Sequence, residues 1–114
     1  MFTVYHNPKC RKSRAGLQYL IDKKIEHKVV EYIKNPLSEP ELRQILVKLN
    51  KKPAEVLRTQ EDIFKEQFKG RNFTDEEWVQ IICENPKLLQ RPIVVGQYKA
   101  VIADPADEID RLIK

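Results

Sequence analysis

The stretch Phe2-Thr3-Val4-Tyr5-His6-Asn7-Pro8-Lys9-Cys10 decides how the chain begins to fold. Residues 2–6 alternate with the two-residue rhythm of a strand. Asn7-Pro8 breaks that rhythm, because proline fixes φ and has no N–H to donate. From Arg11 the period changes. Leu17, Leu20, Ile21 and Ile25 recur at helical spacing and predict a helix with one apolar face. Cys10 therefore stands at a strand-to-helix junction. His27 to Tyr32 is β-branched enough for a second strand. Strand, helix and strand in that order form a βαβ unit, which makes the two strands parallel.

Asn35-Pro36 closes this unit. Ser38 followed by Glu41 is a capping box, and Leu42, Ile45, Leu46 and Leu49 supply the apolar stripe of a second helix that Lys51-Lys52-Pro53 stops. Residues 53–73 are short-patterned and read as brief helices and loops. Thr74 and Glu77 form another capping box, ahead of Trp78, Ile81 and Ile82. Ile93–Val95 and Tyr98–Ala103 read as two strands with only Gly96-Gln97 between them, which predicts a type II′ hairpin with Gly first. Asp104-Pro105 predicts a last helix, with Asp104 as its N-cap, Pro105 at its first position and Ile109, Leu112 and Ile113 as its buried stripe.

The order is thus β-α-β, a helical segment, then β-β-α. It implies an α/β protein with a thioredoxin/glutaredoxin-like four-stranded mixed sheet. Residues 1–114 are expected to form a single domain of this fold, with a helical insertion at about 38–89 between the βαβ and ββα halves.

Composition narrows the function classes. Charged residues make up 33% and hydrophobic residues 41% of the chain, a globular balance. The apolar runs are too short to span a bilayer, and the N-terminus lacks the pattern of a signal peptide. A cytoplasmic protein is expected. The net charge of +4 invites a nucleic-acid reading. Both signs are mixed along the chain, however, and aromatics are not interleaved with the basic residues, so none is expected. Two cysteines and two histidines, each standing alone, give neither a disulfide framework nor a metal-ligand spacing.

Chemistry concentrates at Cys10. The first N–H groups of a helix lack partners within it, and the helix dipole is positive there. Both favour a thiolate, and so do cations. Lys9, Arg11, Lys12 and Arg14 crowd the position, and Ser13 is placed to donate its hydroxyl to the sulfur. The same geometry receives a tetrahedral oxyanion. Together these features point to a nucleophilic thiolate inside an oxyanion pocket. Cys83, in a helix, reads as structural.

The residues His6-Asn7-Pro8-Lys9-Cys10 resemble the His-Asn-Pro-x-Cys signature of the glutaredoxin-coupled arsenate reductases (ArsC-like, thioredoxin superfamily). Ser13-Arg14, Leu57-Arg58 and Arg91-Pro92-Ile93-Val94-Val95 extend the similarity over nearly the whole chain. The resemblance implies that Cys10 attacks arsenate or a similar oxyanion and that Arg58 and Arg91 bind that oxyanion. It places His6 near the thiolate, with Ser13 and Arg14 as further support. It also implies a cis bond at Arg91-Pro92, no bound cofactor, glutathione as co-substrate and glutaredoxin as partner; a monomer is expected. Two departures stand out. Asp104 occupies the place of a third arginine before the last helix, and Arg11-Lys12 replaces a typical Gly-Thr.

Three functions remain open at this point. One is the arsenate reductase. Another is a regulator similar to the Spx-type proteins that contact RNA polymerase, although Cys10-Arg11-Lys12-Ser13 lacks their usual Cys-x-x-Cys. The third is a thiol oxidoreductase acting on another substrate. Because position 13 is Ser, any catalytic cycle needs an external resolving thiol.

Overall fold

The computed structural model describes residues 1–113. Its elements divide into two compact units. The first holds Met1–Asn35 and the chain from Arg91 onward; the second is Pro36–Gln90.

The first unit contains strand β1 (Phe2–His6), helix α1 (Arg11–Asp22), strands β2 (His27–Glu31), β3 (Ile93–Val95) and β4 (Ala100–Ile102), and a closing 3-10 helix, Ala106–Leu112. The sheet order is β2-β1-β3-β4. β1 and β2 are parallel, with Val4 beside Val29; β3 runs antiparallel to both β1 and β4. This is the four-stranded mixed sheet of the thioredoxin layout.

The pleat explains the core. Val4, Val94 and Val101 are register partners on one face of three adjacent strands. They pack with Leu20 of α1 and with Ile109 of the closing helix. The Tyr19 hydroxyl donates to Asp110 Oδ1 at 2.6 Å, tying α1 to that helix. His6 is on the same face as Val4, two residues on, and is buried.

Three local expectations change. The buried face of α1 is Ser13, Gly16 and Leu20. Gly16 lies against Pro92, where an added Cβ would stand 2.5 Å from Pro92 Cγ. Because that contact sets the inward face, Ile21 falls off it and is 50% exposed. The β3–β4 hairpin has a four-residue loop, since Val95 pairs with Ala100 and the Gly96 N–H donates to the Lys99 carbonyl at 2.8 Å. Tyr98 is in that loop, exposed, rather than at the start of a strand. The closing helix starts at Ala106 with Pro105 as its N-cap in extended backbone. Asp104 therefore caps nothing, and Ile113 lies past the helix end, largely exposed.

The second unit follows the caps. Helix α2 (Glu39–Leu49) has the Ser38/Glu41 capping box complete and buries Leu42, Ile45, Leu46 and Leu49. It ends at Asn50 in the left-handed conformation that Asn tolerates. A 3-10 turn (Pro53–Val56) and the short helix α3 (Asp62–Gln67) follow. Helix α4 (Asp75–Glu84) has the Thr74/Glu77 capping box and buries Trp78, Val79 and Ile82. Trp78 also meets Phe64, Phe68 and Phe73 in an aromatic cluster. A 3-10 turn at Pro86–Leu88 ends the unit. Among the described residues no helix is long and apolar enough to cross a membrane.

Candidate active site

Asn7-Pro8-Lys9-Cys10 folds as a β-turn. The Cys10 N–H donates to the Asn7 carbonyl at 3.0 Å, and Pro8 takes the second turn position, whose φ the proline ring already matches. The Asn7 side chain tightens the turn by accepting from the Lys9 N–H at 3.1 Å. This turn delivers Cys10 to the N-cap of α1 in extended backbone, with φ −97° and ψ 126°. An N-cap side chain faces the open N–H groups of the first helical turn.

The sulfur uses that position. Burial disfavours the Cys10 thiolate, but three sources of stabilisation together outweigh it and lower the thiol's pKa from its ordinary value. The Arg91 side chain contributes as a hydrogen-bonding group and as a positive charge, and the backbone N–H groups of Ser13 and Lys12 at the helix start add their pull. Arg91 is only 8% exposed, so solvent screens its charge little. It reaches the site because the chain re-enters the first unit at Arg91 and β3 begins two residues later. The Arg91-Pro92 bond is cis, and so is Asp104-Pro105.

The expected supporting residues take other parts. Ser13 Oγ shares a hydrogen bond of 2.7 Å with His6 Nδ1 and accepts from the Asn7 N–H at 2.9 Å. The hydroxyl thus binds the end of β1 to the start of α1, and what Ser13 offers the sulfur is its backbone N–H. Desolvation lowers the His6 pKa against the opposing pull of Glu31 and so favours the neutral ring. Arg14 turns back and donates to the Pro8 carbonyl at 2.9 Å, bracing the turn. Lys12 pairs with Asp104 at 3.0 Å. Arg91, distant in sequence, is thus the cation acting on the thiolate.

Arg58 belongs to the second unit, where its backbone N–H donates to the Leu88 carbonyl at 2.7 Å beside a Leu57–Leu89 bridge. Its guanidinium donates to Glu61 Oε2 at 3.0 Å, in a pair that is mostly buried. Sequence reading missed Glu61, although its i,i+3 spacing from Arg58 was a usable signal. It also missed Asp104 as the partner of Lys12; no local pattern joins residues so far apart. No cluster of potential metal ligands occurs among the described residues.

Comparison with known proteins bears on family and fold. Residues 5–112 match the profile of the ArsC family. The chain is 37% identical over 112 residues to the protein YfgD of Escherichia coli K12, covering 96% of this chain and 94% of that one. It is 34% identical over 112 residues to an arsenate reductase of Neisseria meningitidis, covering 96% of each. Among solved structures, an arsenate reductase from Vibrio cholerae superposes with a TM-score of 0.91 at 31% identity, over 96% of this chain and 95% of that one.

Proposed function

The chain belongs to the ArsC family, and from that membership we propose that it is an oxidoreductase that reduces arsenate to arsenite through the Cys10 thiolate. One observation carries the reading: a thiol at the N-cap of α1 whose pKa is held down, against burial, by the nearly buried Arg91 and by the N–H groups of the helix start. The same donors that favour the thiolate suit an oxyanion brought against it. Arginine also fits tetrahedral oxyanions better than lysine, through its fork of N–H donors.

The chemistry runs in three stages. The Cys10 thiolate attacks arsenic(V), an S–As bond forms, and one protonated oxygen leaves as water. The thiolate of glutathione then attacks the Cys10 sulfur. An S–S bond forms, the S–As electron pair passes to arsenic, and arsenite leaves as arsenic(III). Glutaredoxin takes the glutathione off Cys10 by thiol–disulfide exchange. Ser13 offers no second thiol, which is why the resolving thiols are external. The resemblance assigns oxyanion binding to Arg58 as well, and within its own unit Glu61 holds the Arg58 guanidinium. The enzyme acts in the cytoplasm as a monomer and holds no cofactor of its own. The relatives favour it over the polymerase-contacting regulator.

The test is arsenite formation from arsenate with glutathione and glutaredoxin, comparing wild type with Cys10→Ser. Turnover by wild type and none by the variant is expected. Absence of arsenite from the wild-type reaction at millimolar arsenate would falsify the proposal.

A further inference from the structure

The rim of the Cys10 site carries an ion pair that the reaction does not use. Lys12 Nζ lies 3.0 Å from Asp104 Oδ2, with the two side chains 55% and 41% exposed. Both ends start from segments that also carry the thiolate's surroundings. Lys12 is the second residue of α1, two positions after the N-cap Cys10, and its backbone N–H contributes to lowering the thiol's pKa. Asp104 follows Ala103, whose N–H donates to the Pro92 carbonyl at 2.9 Å, and Pro92 follows the thiolate's own arginine. Two residues from Cys10 on the first turn of α1, the Lys12 ammonium is within reach of the sulfur's field, whose screening length is ~10 Å at 0.1 M salt.

An unpaired ammonium there would draw anions toward Cys10, and an unpaired carboxylate would repel them. Paired, the two nearly cancel at distance. Asp104 is free for this role because Pro105, not Asp104, occupies the N-cap of the closing helix. We propose that the Lys12–Asp104 pair is a charge-neutral rim and that Asp104 is the specificity-determining residue that restrains the anion selectivity of Cys10. Arg91 and the helix N–H groups then supply the attraction for an oxyanion, and neutral or weakly charged electrophiles keep access to the same thiolate. The inference rests on Cys10 being the reactive thiol, not on arsenate being its substrate.

The test reads local potential through two alkylating probes of the same chemistry. In each, the thiolate displaces iodide from a CH₂ carbon as the S–C bond forms; iodoacetate is an anion and iodoacetamide is neutral. The ratio of their rates at Cys10, followed by mass spectrometry of the Cys10 peptide, cancels changes in thiolate fraction. Asp104→Asn raises the iodoacetate-to-iodoacetamide ratio about two- to fivefold, and Lys12→Gln lowers it by a similar factor. The double variant returns to the wild-type ratio, and 1 M salt, where the Debye length is ~3 Å, collapses all four values together. Both side chains are exposed and neither fills the core, so the variants keep the fold. A ratio unchanged in Asp104→Asn, or shifts of the same sign in the two single variants, overturns the proposal. Arsenite production by the wild type is scored separately. If that fails while the ratios move as stated, the substrate assignment falls and the neutral rim stands; the reverse pattern removes the rim alone.

Discussion

The two cysteines of this chain are the same side chain in opposite electrostatic settings. Cys10 is at the start of a helix, and Cys83 is in the last turn of another. Both are partly buried, and burial works against ionisation in both. At Cys10, Arg91 and two backbone N–H groups outweigh burial, and the thiol's pKa falls. At Cys83, burial is reinforced by Glu39, Glu41 and Glu84 and opposed only by Arg43, and the pKa rises. A helix start offers open N–H groups, whereas a helix end offers carbonyl oxygens and the negative end of the dipole. Reactivity here follows from which end of a helix holds the sulfur and which charges face it.

The largest effect should come from exchanging the thiols' fates. Cys10→Ser should reduce kcat/KM for arsenate by at least about a thousandfold, since it removes the nucleophile. Cys83→Ser should stay within about twofold of wild type in the same assay. A Cys83→Ser variant as impaired as Cys10→Ser would break the contrast.

Arg91→Met keeps bulk but removes the charged donor. The expected loss in kcat/KM is about ten- to a hundredfold, the value of a charge-assisted hydrogen bond. The pH of half-maximal Cys10 alkylation should move upward. The sign follows from linkage. A thiol whose folded pKa is depressed adds stability above its unfolded pKa, and that stability is lost as pH falls through the folded pKa. Arg91→Met should therefore lose stability chiefly on the alkaline side, as urea unfolding at several pH values would record. An unmoved alkylation midpoint would mean that the helix start alone sets the thiolate.

Gly16→Ala is a geometric probe of the Cys10 side. Its Cβ cannot stand 2.5 Å from Pro92 Cγ, so α1 or the Arg91-Pro92 segment must shift. Destabilisation of roughly 1–3 kcal/mol is expected in denaturant unfolding, in line with overpacking. A neutral result would show that α1 and Pro92 part without cost. The smallest effect belongs to Cys83. Glu39→Gln removes a nearby negative charge, so alkylation of Cys83 should shift toward lower pH and speed up by roughly twofold at mildly alkaline pH. No shift would strike Glu39 from the causes and leave burial, Glu41 and Glu84.

Much of the fold was legible because its signals are local. Capping boxes at Ser38 and Thr74, the strand alternation before Asn7-Pro8, and the apolar stripe of α2 depend on neighbours within a few residues, and the structure keeps each of them. Misreadings occurred where distant segments intervene. Ile21 lost its place to a helix face fixed by Pro92, and Asp104 gave up capping for an ion pair with Lys12. The basic residues around Cys10 looked like its electrostatic support, yet Arg14 braces Pro8 and Lys12 is neutralised by Asp104.

By itself, then, the sequence determined that a cysteine opens the first helix after a proline turn, because strand period, turn chemistry and helix spacing act over neighbouring residues. Only the tertiary structure decided which charges act on that sulfur. Coulombic and hydrogen-bond energies depend on distance in space and on burial, and those exist only once β3 brings Arg91 to the start of α1.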